Sequence, residues 1–99
     1  MSTEVEHIEV SGSNLDIHLS LSDAFFHRFR QDGISTNDNK IIEDVAAILG
    51  ADDYTITTQK TLALRFNLTG GYKNVPLAFE IGKPEGPLKT ASTMLARLG

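Results

Sequence analysis

With 99 residues, 40% of them hydrophobic and 22% charged, the chain has the size and composition of one folded globular domain. It contains no cysteine, which excludes disulfides, thiolate nucleophiles, iron–sulfur clusters and cysteine-based zinc sites, and makes the cytoplasm the expected compartment. No apolar run approaches the ~20 residues that span a bilayer, and the acidic start, Met1 to Glu6, is the opposite of a secretory signal.

The net charge of −4 is unevenly placed. Residues 1–53 hold eleven acids against three bases, a net of −8, and residues 54–99 hold two acids against six bases, a net of +4. Such polarity speeds encounter with a complementary macromolecule and orients it.

In chain order, Val5 to Val10 forms a first short strand carrying Ile8 and Val10. Leu15, Ile17, Leu19 and Leu21 then alternate with Asp16, His18 and Ser20, the period of a half-buried strand. Ser11-Gly12-Ser13-Asn14 between them suits a type II′ turn with glycine at its first central position. That turn sets Val10 opposite Leu15 and Ile8 opposite Ile17, so the apolar residues share one face. Ser22 is the expected N-cap of a helix over Asp23 to Asp32, stopped by Gly33. Phe25, Phe26 and Phe29 fall on one side of it, where three rings suit the core, with His27, Arg28 and Arg30 opposite. Residues 35–39 read as a polar loop. Ile41, Ile42, Val45, Ile48 and Leu49 then make an amphipathic stripe ended by Gly50.

Tyr54 and Ile56 open another strand, and Leu62, Leu64, Phe66 and Leu68 alternate through the next. Folding about Gly70-Gly71 predicts a hairpin with Phe66 opposite Val75, Leu64 opposite Leu77 and Leu62 opposite Phe79. Pro87 suits the first turn of a last helix with Leu88, Ala91, Met94, Leu95 and Leu98. The order β-β-α-α-β-β-β-α describes a single α+β domain over residues 1–99. Its antiparallel sheet has about five strands, with three helices on one face.

The N-terminal hairpin places His7 opposite His18 and Glu9 opposite Asp16, two imidazoles and two carboxylates within cross-strand reach. They form a candidate metal site (His7, His18, Glu9, Asp16), weighed against a plain solvated face. The outer face of the C-terminal hairpin, with Arg65, Asn67, Thr69, Tyr72 and Asn74 and with Lys73 by the turn, is the alternative surface for nucleic acid. Gly82 to Thr90 superficially resembles a phosphate loop, but its spacing is not G-x-x-x-x-G-K-[ST] and two prolines remove N–H donors, so it reads as a helix entry.

No nucleophile–base arrangement or carboxylate pair stands out, so no enzyme and no cofactor are expected. The expectation is a small binding domain that docks onto a protein or nucleoprotein partner, in the manner of a phage or mobile-element inhibitor or adaptor. The residues assigned to that contact are Asp38, Glu43, Asp44, Asp52 and Asp53, with Arg65, Tyr72 and Lys73. A metal- or small-ligand module on the N-terminal hairpin and a nucleic-acid domain using the basic half are the alternatives. Exposed strand edges also suit a homo-oligomer.

Overall fold

The computed structural model describes residues 3–58, 61–69 and 86–99. Two strands, β1 (Glu4–Ser11) and β2 (Asn14–Ser20), form the expected hairpin, with Ser11 opposite Asn14 and Gly12 at φ 61°. The positive φ is confined to the glycine, as a type II′ turn requires. Ile8 pairs with Ile17 and Val10 with Leu15, as the turn chemistry dictates. The ladder then slips between Val5 and His7, so that Val5 stands opposite Leu19 with Glu6 as the extra residue. Val5 and Ile8 are three positions apart and a regular strand would send them to opposite faces. The bulge lets both pack against the core while Glu6 and His7 stay exposed.

Helix α1 (Asp23–Asp32) begins where Ser22 Oγ accepts the Phe25 N–H, and ends at Gly33, whose N–H donates to the Phe29 carbonyl. Helix α2 spans Thr36–Leu49, so most of the polar stretch expected as a loop is its first turn. Ser35 caps it by accepting the Asp38 N–H at 3.1 Å, and polar residues cost little where the first N–H groups have no helical partner. Gly50 closes α2 in the left-handed conformation, at φ 72°. Strands β3 (Asp53–Thr58) and β4 (Leu62–Asn67) follow, and helix α3 (Pro87–Leu95) starts on its proline.

These elements give an α+β fold with a four-stranded antiparallel sheet in the order β1-β2-β4-β3. The sheet was expected to have about five strands. The segment expected to supply the fifth, together with the Gly70-Gly71 turn and residues 82–85 of the phosphate-loop-like stretch, lies outside the described residues. The register expected about that turn is corrected by β4 itself, which is flanked on both sides. Phe66 pairs with Leu15 and Tyr54, Leu64 with Ile17 and Ile56, and Leu62 with Leu19 and Thr58.

One apolar cluster joins the sheet to all three helices. β2 contributes Leu15, Ile17 and Leu19, and β4 contributes Leu62, Leu64 and Phe66. Facing them are Phe25 of α1, Ile42, Val45 and Leu49 of α2, and Leu88, Ala91 and Leu95 of α3. Beyond α3, Thr3 Oγ1 donates to the Leu98 carbonyl at 2.7 Å and the Gly99 N–H donates to Asp38 Oδ1 at 3.3 Å. The approach to β1, the start of α2 and the end of α3 are thereby tied together.

Deleting Glu6 restores an unbulged ladder with Val5 still opposite Leu19, so the expected loss of stability is no more than about 1 kcal/mol. Leu64→Ala, in the middle of the core, is expected to cost about 3 kcal/mol. Urea unfolding midpoints check both.

Candidate functional site

Pairing of β2 with β4 merges two surfaces that lie far apart in the sequence. Across the outer face of the sheet, His7 stands opposite His18, Glu9 opposite Asp16, and Asp16 opposite Arg65. The Arg65 guanidinium grips the Asp16 carboxylate at both oxygens, Nε at 2.8 Å and Nη2 at 2.9 Å. Asp16 is only 7% exposed although it points away from the core. The Arg65 hydrogen bonds hold the Asp16 carboxyl below the ordinary carboxylate range. Burial opposes that shift, and the charges of Arg65 and His18 add to it. Arg65, more exposed, is shifted up chiefly by the same hydrogen bond.

Glu9 lies between the two imidazoles. His7 Nε2 is 3.5 Å from one of its carboxylate oxygens and His18 Nε2 is 3.5 Å from the other, and the rings are 5.6 Å apart. The four proposed metal ligands are therefore neighbours, yet Asp16 has both oxygens engaged by Arg65. Among the described residues no group of three or more histidine or carboxylate side chains is placed to hold a metal ion. The arrangement is a polar array in which Arg65 holds Asp16 and Glu9 lies beside both histidines.

The acids assigned to a partner divide into two sets. Asp38 is 6% exposed, and its carboxylate is turned onto the Gly99 backbone, so it is not part of a docking surface. Its place in the first turn of α2, under the residues that follow α3, is the reason. Glu43, Asp44, Asp52 and Asp53 are exposed along the second half of α2 and its connection to β3. Glu43 accepts from Asn39 Nδ2, and Asn39 Oδ1 in turn accepts from the Tyr54 hydroxyl, both at 3.1 Å. Burial, with Glu43 second, pushes the Tyr54 hydroxyl up. Asp44 is 3.9 Å from Lys40 Nζ, and Asp52 accepts from the Thr69 hydroxyl. Tyr72 and Lys73 lie outside the described residues.

The Asn39–Tyr54 link had no signature in the sequence beyond an aromatic with a polar tip at a strand start. Asn67 Oδ1 is buried and has no hydrogen-bond partner among the described residues. On α1, Phe25 is buried, as expected of the core, while Phe26 and Phe29 are half-buried. The Arg28 guanidinium lies 5.4 Å from the centre of the Phe25 ring. Among the described residues no helix is long and apolar enough to cross a membrane.

Because the native Asp16 carboxyl is more acidic than the same group in the unfolded chain, its contribution to stability is present above the ordinary carboxylate range. It is lost as pH falls through the lowered native value. Arg65→Met is therefore expected to be less stable than wild type at neutral pH, with the difference shrinking below about pH 4. Urea titrations across that range measure it, and a difference independent of pH would contradict the assignment.

Comparison with protein-family models, with curated proteins and with solved structures gives no match to this chain.

Proposed function

We propose that this chain is a non-enzymatic docking domain whose acidic half engages a basic surface on a macromolecular partner. The observation that carries the proposal is the state of Glu43, Asp44, Asp52 and Asp53. All four are exposed, and among the described residues Asp44 alone has a lysine or arginine within 4 Å. Carboxylates left without a cation at the surface retain their field in solvent and can steer and register a basic partner. Asp16, by contrast, is paired with Arg65, which engages one of the cations on which a nucleic-acid surface would rely.

The titratable groups of the outer face are likewise tied to one another, Asp16 to Arg65 and Glu9 to both histidines, which supports binding rather than catalysis. In its finer form the proposal makes the domain an inhibitor or adaptor that occupies a basic groove of a nucleoprotein complex.

Immobilised wild-type protein and a Glu43→Lys/Asp44→Lys variant, each exposed to the same native lysate, test the proposal. The partner retained by wild type should bind the variant about tenfold more weakly, and its retention should fall as salt is raised. Equal retention by both proteins at every salt concentration would overturn it.

A further inference from the structure

β1 is an edge strand. In the order β1-β2-β4-β3 it pairs with β2 alone, so among the described residues the backbone groups along its other side have no ladder partner. An edge of eight residues is a template for another extended chain. Its side chains restrict which chain can pair there.

Glu4 and Glu6 are exposed on it, and among the described residues no lysine or arginine lies within 4 Å of either, while Glu9 is occupied by His7 and His18. Beside the turn, Val10 is 43% exposed, the one large hydrophobic side chain so exposed among the described residues. A second copy pairing through the same edge would bring two acidic strands together, and like charges across a ladder are destabilising. An extended segment with lysine or arginine at alternate positions meets attraction where a second copy meets repulsion. β3, the opposite edge, presents the uncharged Thr55 and Thr57 beyond Asp53 and offers no comparable selection.

We propose that the edge of β1 left unpaired among the described residues accepts a Lys/Arg-bearing extended segment of the partner as an added strand. Backbone hydrogen bonds supply the affinity, and Glu4 and Glu6 supply the selectivity. This rests on the docking function proposed above and adds where the partner binds and in what conformation.

The probe is a capped peptide alternating lysine with valine, matched to the eight residues of β1. Its binding to the full chain is titrated while amide hydrogen exchange is followed by NMR. At saturation, β1 amides that exchange freely in the unbound protein should slow by about tenfold or more. Methylating the peptide's backbone nitrogens on the side facing β1 should abolish the slowing, and Glu4→Lys with Glu6→Lys should weaken binding about tenfold. Absence of binding overturns the proposal, as does binding that leaves β1 exchange unchanged or survives N-methylation undiminished. So does light scattering that shows the chain dimerising through the same amides. None of these failures bears on the Glu43/Asp44 capture experiment, so the docking function and its proposed site can fail separately.

Discussion

The antiparallel pairing of β2 with β4 in the middle of the sheet is the constraint on which the rest of the structure depends. It aligns Leu15, Ile17 and Leu19 with Phe66, Leu64 and Leu62, all six fully buried. Burying such a side chain is worth about 1.5–3 kcal/mol. The Asp16–Arg65 contact on the reverse face lies partly in solvent, and an ion pair of that kind contributes little to stability by comparison. Burial therefore decides the pairing, and the ion pair follows from it. What the ion pair adds is discrimination between registers, since a slip of one residue would turn Asp16 into the core.

Once β2 and β4 are central, the remaining elements have few choices. β1 and β3 become the outer strands, each joined to the middle through a sequence neighbour, and the helices take the apolar face. The residues after α3 close the arrangement by bonding to Asp38 and Thr3. The charges on the other face are left to satisfy one another, and the cancellation is unequal. Asp16 of the acidic half meets Arg65 of the basic half, and Glu9 is engaged by histidines. Among the described residues, Glu4, Glu6, Glu43, Asp52 and Asp53 have no lysine or arginine within 4 Å. The acidic character seen in the linear sequence thus survives folding as two exposed sets of carboxylates, one on α2 with the connection after it and one on the edge strand.

Much of this was legible before any coordinates, because the cues are local. Gly12 set the hairpin turn, Ser22 and Gly33 bounded α1 to the residue, and strict alternation marked β2 and β4. Cues that needed a second element were not legible. The Val5-to-Ile8 spacing breaks the strand period, and the Glu6 bulge that reconciles it depends on pairing with Leu19. Asp38 looks like a surface acid in a polar stretch, and its burial comes from the distant Leu98-Gly99 segment. The outer-face candidates were read as two separate sites because nothing in either hairpin specifies that Asp16 will stand beside Arg65. That follows only from the order of strands across the sheet, the property with the least local signature.

Native-state hydrogen exchange tests this organisation most directly, because the free energy of each amide's opening reports its distance from an edge. Hydrogen-bonded amides of both β2 and β4 should exchange only through global unfolding, at the free energy given by denaturant titration. Those at the margins of β1 and β3 should open at lower cost. If amides of β4 opened at a cost well below the global value while those of β3 matched it, β4 would not be central. The pairing that buries the core and joins Asp16 to Arg65 would then be wrong.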